Sequence, residues 1–131
     1  MIAEDLIDTY LREGKYDGID FKPPSSVAKA AKKGLELRKK YGKGGLSRKQ
    51  ASKQGIGSGV ARATTLSNRD NVSPKTIKQM VAFFNRHEKN KEHDSEDDAG
   101  WIAWLLWGGD PGRSWAERIK KQMEKADERR D

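Results

Sequence analysis

The stretch WIAWLLWGGDPGRSWAERI, residues 101–119, constrains this chain more than any other. Its first seven residues form the longest apolar run of the sequence and include three of the four Trp. Hydrophobic residues make up only 34% of the 131, against 36% charged, so little other apolar surface competes to form a core. Seven residues fall far short of the roughly 20 that a membrane helix needs. The segment is apolar on all sides, which suits a short central helix surrounded by others. Gly108 ends it, Asp110 is placed to cap a following helix, and Pro111 to start that helix. Trp115, Ile119, Met123 and Ala126 then form a stripe that can fold back onto the Trp-rich segment. The expectation is a helical hairpin at the core, the alternative being a partner surface that presents one exposed Trp.

The remaining periodicities are also helical. AEDLIDTYLREG places Ile2, Leu6, Ile7, Tyr10 and Leu11 on one side and stops at Gly14. Pro23-Pro24 interrupts regular structure, after which Ser25 or Ser26 can cap a helix running to about Tyr41. On a helical wheel its Val27, Ala30, Ala31, Leu35, Leu37 and Tyr41 share a broad face, with Lys29, Lys32, Lys33 and Lys40 opposite. Gly42, Gly44 and Gly45 end it. SRKQASKQ reads as a short helical turn closed by Gly55, and Ser58 can cap another at GVARATTL. Ser73 followed by Pro74 is a helix start, with Ile77, Met80, Val81 and Phe84 as the buried stripe and Phe83 beside it. EKNKEHDSEDD reads as a flexible polar loop. No strand signal reaches usable strength. The fold class is therefore all-α, a compact bundle of about five to six short helices with a Trp-rich C-terminal helical hairpin. The expected organisation is an acidic N-terminal helix and connector over 1–22, a basic helical domain over 23–120, and a charged helix end or tail over 121–131.

Charge is unevenly distributed. Residues 1–20 hold six acids and two bases, and residues 22–54 hold eleven bases with Glu36 as the one acid. Residues 92–110 hold six acids and no Lys or Arg. The net charge of +7 is thus concentrated between Lys22 and Lys91, which points to a polyanion partner. The candidate phosphate contacts are Lys29, Lys32, Lys33, Lys40, Lys43, Arg48, Lys49 and Lys53, a stripe suited to salt-dependent binding without sequence preference.

LSRKQASKQGIGSGVARATTL, residues 46–66, has a helix-turn-helix-like order: Ala51 inside a first helix, Gly55 at the turn, Ile56 after it. Ser58 would then cap a second helix carrying Arg62, Thr64 and Thr65 toward the bases. The fit is partial, because Gly57 and Gly59 suit a recognition helix poorly; two short packing helices joined by a glycine turn is the plainer reading. GIGSG lacks the context of a nucleotide-binding loop. His87 and His93 with their acidic neighbours lack the fixed spacing of metal ligands. No cofactor, metal or catalytic set is expected, and the chain does not read as an enzyme. The absence of Cys and of a basic-then-apolar N-terminus fits an intracellular, non-membrane protein.

Three strings, AKKGLELRKKYGKGG (31–45), GIGSGVARATTLSNRDNVSPKTIKQMVAFFNRHEKNK (55–91) and WIAWLLWGGDPGRSWAERI (101–119), together resemble an uncharacterised small domain of tailed-bacteriophage and prophage proteins. The resemblance spans roughly residues 27–120 and implies phage origin, with the host cytoplasm during infection, or the virion, as the setting. It brings no established activity. The expected function is a nucleic-acid-binding accessory protein acting on duplex DNA. The alternatives are a minor virion or assembly protein and a host-directed inhibitor that binds a host protein.

Overall fold

A computed structural model describes residues 14–45, 49–50, 53, 58–92 and 95–129. Five α-helices lie among them: α1 (Ser25–Tyr41), α2 (Gly59–Ser67), α3 (Pro74–Arg86), α4 (Ala99–Leu106) and α5 (Gly109–Arg129), with a 3-10 turn at Glu88–Lys91. α1 packs against α2, α4 and α5, while α3 lies along α5, giving a compact all-α bundle. The N-terminal helix expected over residues 2–13 lies outside the described residues.

Helix starts follow local chemistry. Ser58 accepts a hydrogen bond from the Ala61 amide at 3.1 Å, and Ser73 one from the Thr76 amide at 3.1 Å with Pro74 next to it. Each satisfies a first-turn N–H that has no partner within the helix. α1 departs from expectation. Pro24 occupies its cap position, Ser25 is already helical, and no side chain caps the end. Asp110 also departs. α5 begins at Gly109, so Asp110 sits inside the first turn, and its carboxylate accepts the Trp104 indole N–H at 2.9 Å. A carboxylate near a helix N-terminus is favourable there in any case. The segment expected to be a loop carries the 3-10 turn and ends at Asp98, whose side chain caps α4 through the Trp101 amide at 2.9 Å.

The core is an aromatic cluster built by the helices of the C-terminal half. Phe83 of α3 stacks on Trp107 with centroids 4.6 Å apart and planes 8° from parallel. Phe84 meets Trp104 edge-on at 4.8 Å. Ile102, Trp104 and Leu106 of α4 are fully buried. Trp115, Ile119 and Met123 of α5 are buried along one stripe, with Ala126 half-buried at its end. The sharp link between α4 and α5 depends on Gly108, whose φ of +111° is unfavourable for any residue with a side chain.

One contact positions α1. Gly34 faces the α4 backbone so closely that a Cβ there would lie 2.8 Å from the Leu106 nitrogen and 3.0 Å from the Leu105 carbonyl carbon. With Val27, Ala31 and Leu37 buried on the same side, the opposite side of α1 is left to solvent.

Candidate nucleic-acid interface

Lys29, Lys32, Lys33 and Lys40 are all exposed along α1, as a spacing of about 100° per residue requires once Val27, Ala31, Gly34 and Leu37 face inward. Glu36 lies within the same angular sector, so the face carries one acid among its cations. From Lys29 to Lys40 the helix rises about 16 Å. Beyond α1 the exposed cations continue at Lys43, Lys49 and Lys53. Arg48 lies outside the described residues, as do Ala51 and Gly55–Gly57, the inner position and turn of the helix-turn-helix-like segment.

α1 ends at Gly42, whose φ of +68° lets its N–H return to the Arg38 carbonyl at 2.7 Å. Arg38 points away from the lysine face. It is half-buried, and its Nε donates to the Gly44 carbonyl at 2.9 Å, tying the post-helix turn to the helix.

The face is not free of acids from elsewhere in the chain. Lys33 pairs with Glu96 at 3.7 Å and Lys43 with Asp97 at 3.6 Å, so the acidic segment before α4 reaches the lysine stripe at two points, one within α1 and one just after it. Asp97 also accepts a hydrogen bond from Ser95, and these contacts hold its carboxyl below the usual carboxylate range. All four paired side chains remain about half exposed, a setting in which ion pairs are weak and sensitive to salt. Charge asymmetry in the sequence points outward, to a polyanion partner, and does not reveal this internal pairing, which depends on the fold.

Arg62 behaves differently from the lysines. It is half-buried on α2 with its guanidinium carbon 5.5 Å from the Trp107 ring centroid. One terminal nitrogen donates to Thr76 Oγ1 at 3.2 Å and the other to Gln79 Oε1 at 2.9 Å, while Nε is buried with no partner. Burial pulls its pKa below the ordinary arginine value. The side chain expected to approach bases is thus engaged in joining α2 to α3 over the aromatic core. Thr64 and Thr65 donate back to the carbonyls of Val60 and Ala61 within their own helix.

Among the described residues no group of His, Asp and Glu is placed to hold a metal ion, and no helix is long and apolar enough to cross a membrane. His87 lies against Phe83, with ring centroids 4.8 Å apart. Burial first, and then the Arg86 charge, hold its pKa below the ordinary histidine value. Comparison with known proteins finds no family model, no curated protein and no solved structure that matches the chain.

Proposed function

We propose that the chain binds duplex nucleic acid through the lysine face of α1, in the phage setting that the resemblance implies. The observation that carries this reading is the exposure of Lys29, Lys32, Lys33 and Lys40 on one side of a helix whose other side is packed against α4. B-DNA carries one negative charge per ~1.7 Å of axis, so a stripe about 16 Å long meets enough phosphates to engage each lysine. Lysine on a flexible stem is a point charge suited to phosphate contact rather than to reading base edges. Arg62 takes no part, because Thr76 and Gln79 already occupy both of its terminal nitrogens. Binding is therefore electrostatic and without strong sequence preference, and its role is accessory.

Fluorescence anisotropy of a labelled duplex at several salt concentrations tests this. Four to five phosphate contacts give a slope of log K against log salt of roughly −4. A Lys32→Glu/Lys40→Glu variant, checked as folded by circular dichroism, should bind far more weakly and with a shallower slope. Binding that is absent at low salt, or unchanged in the variant, removes the reading.

A further inference from the structure

A second cationic region lies away from the α1 lysines. A groove of about 330 Å³ runs between the 14–24 connector, the turn after α2, and α5. Three cationic residues line it from those three separate parts of the chain: Lys22, Arg69 and Arg118. None of the three makes an ion pair with a carboxylate among the described residues. Asp20 is the one acid in the lining, and its carboxylate accepts the Lys22 backbone N–H at 2.9 Å. Trp115 and Ile119, buried members of the α5 stripe, supply an apolar floor.

Arg69 stands just past the C-terminus of α2, where its amide returns to the Leu66 carbonyl at 3.0 Å and the Asp70 amide to the Thr65 carbonyl at 3.2 Å, a helix-ending turn that places one residue in the left-handed region. It is the one non-glycine residue with positive φ, at +56°, among the described residues. That conformation is unfavourable for a residue with a Cβ and persists only where the surroundings hold it. Here the hold is visible. The Arg69 Nε donates to the Pro23 carbonyl at 2.8 Å, and the Val72 amide donates to the Phe21 carbonyl at 3.1 Å, so the turn after α2 is bound to the connector on both sides. Beyond that bond the Arg69 side chain makes no hydrogen bond among the described residues, and Arg69 lines the groove together with Lys22.

We propose that this groove binds a phosphate monoester carrying a small hydroxylated body, such as a sugar phosphate or the 5′-phosphate of a nucleotide. Three cations and one carboxylate leave a charge of +2, matching a monoester that carries about −1.5 to −2 near neutral pH. Arginine and lysine supply donors for its oxygens, and the Asp20 carboxylate can accept from a hydroxyl of the attached body. The volume lies at the small end of the ~300–1,000 Å³ usual for ligand sites, which suits one sugar ring and one phosphate rather than a dinucleotide. The proposal does not depend on the duplex-binding reading, since no α1 lysine lines the groove.

The test is ¹⁵N-resolved NMR of the full chain titrated with ribose 5-phosphate, with ribose as the uncharged control. Saturable shifts at the Trp115 indole and the Ile119 amide are expected with the phosphate ester and absent with ribose. Arg118→Gln, an exposed change on a helix surface, should weaken the interaction at least tenfold and leave the fold intact. Arg69→Gln should do the same, but it also removes the bond to Pro23, so Arg118→Gln decides the outcome. A 5′-phosphorylated dinucleotide, set against its unphosphorylated form, separates the sources: tighter binding than ribose 5-phosphate assigns the groove to a strand end, weaker binding to a free sugar phosphate. Responses that are equal for ribose and its phosphate, confined to α1, or unaltered by Arg118→Gln overturn the proposal. Lys32→Glu/Lys40→Glu should leave this titration unchanged, which keeps its result separate from the duplex measurement.

Discussion

Gly34→Ala sets two physical effects of opposite sign against each other. In a helix interior alanine is favoured over glycine by about 1 kcal/mol, and Gly34 lies in the middle of the 17-residue α1. On propensity alone the variant is stabilised. The contact with α4 predicts the reverse. The new Cβ would lie 2.8 Å from the Leu106 nitrogen and 3.0 Å from the Leu105 carbonyl carbon. Both are backbone atoms, and no rotamer change moves them aside. Relief requires α1 and α4 to separate by several tenths of an ångström along a contact that includes fully buried Val27, Ala31 and Leu106. Overpacking of this kind costs about 1–3 kcal/mol, and a clash with backbone belongs at the upper end. Setting about 3 kcal/mol against the gain of about 1 leaves a net loss of about 2 kcal/mol.

At this chain length each kcal/mol moves the melting temperature by about 4 °C, so thermal unfolding followed by circular dichroism should show a fall of roughly 8 °C. Urea denaturation should show a lower midpoint with an unchanged slope, since the surface exposed on unfolding is nearly the same. Truncating Leu105 to Ala in the Gly34→Ala background should give no rescue, because the obstructing atoms are backbone and the Leu105 Cβ, 3.1 Å away, which alanine retains. A melting temperature that stays level or rises would refute the reasoning, as propensity would then have prevailed and α1 could not be seated against the α4 backbone.

Three other outcomes follow from the contacts described. Arg62→Lys keeps the charge but loses the planar fork that reaches Thr76 and Gln79, and should destabilise by about 1–2 kcal/mol while duplex affinity of the folded protein stays the same. His87 has a folded-state pKa below its ordinary value of about 6.5, so the unfolded chain takes up its proton first; its contribution to stability is complete above that value and is lost as pH falls through the folded pKa. Urea titrations over that interval should show the loss in the wild type and a smaller one in His87→Gln. Glu96→Gln/Asp97→Asn releases Lys33 and Lys43 and should tighten duplex binding at low salt, with the difference shrinking as salt rises; equal affinities would mean that the two pairs do not compete with phosphate.

Features that depend on neighbours a few residues apart were legible in the sequence. Ser58, and Ser73 with Pro74, cap their helices as their spacing indicates, and Ile77, Met80, Val81 and Phe84 face the core at helical intervals. The exposed lysines of α1 follow from the same period. Features that depend on what an element packs against were not. Gly34 in a helical run reads only as a weak helix former; its use as a notch requires knowing that α4 crosses there. Asp110 has the identity and position of a cap, yet the Trp104 indole, six residues back across the hairpin, takes its carboxylate. Arg62 has the look of a solvent-facing cation, because no periodicity reports that a tryptophan ring and two acceptors lie beneath it.

The same distinction explains why the two cationic regions differ in kind. The α1 stripe is a product of segregation: one side of a helix is used up by the core, and like charges are left on the other. Such a face can hold many phosphates, each weakly, and its strength depends on number and salt. The groove beside Arg69 is a product of convergence. Lys22, Arg69 and Arg118 are separated by 47 and 49 positions in the chain, and they meet because the connector is bound to the turn after α2 and both lie against α5. Convergent cations repel one another in the absence of an anion, and two backbone-directed hydrogen bonds hold this arrangement together. A segregated face can lose one lysine with graded effect. A convergent groove should lose most of its affinity with one arginine, and that contrast in response to single substitutions would separate the two proposed modes of anion binding.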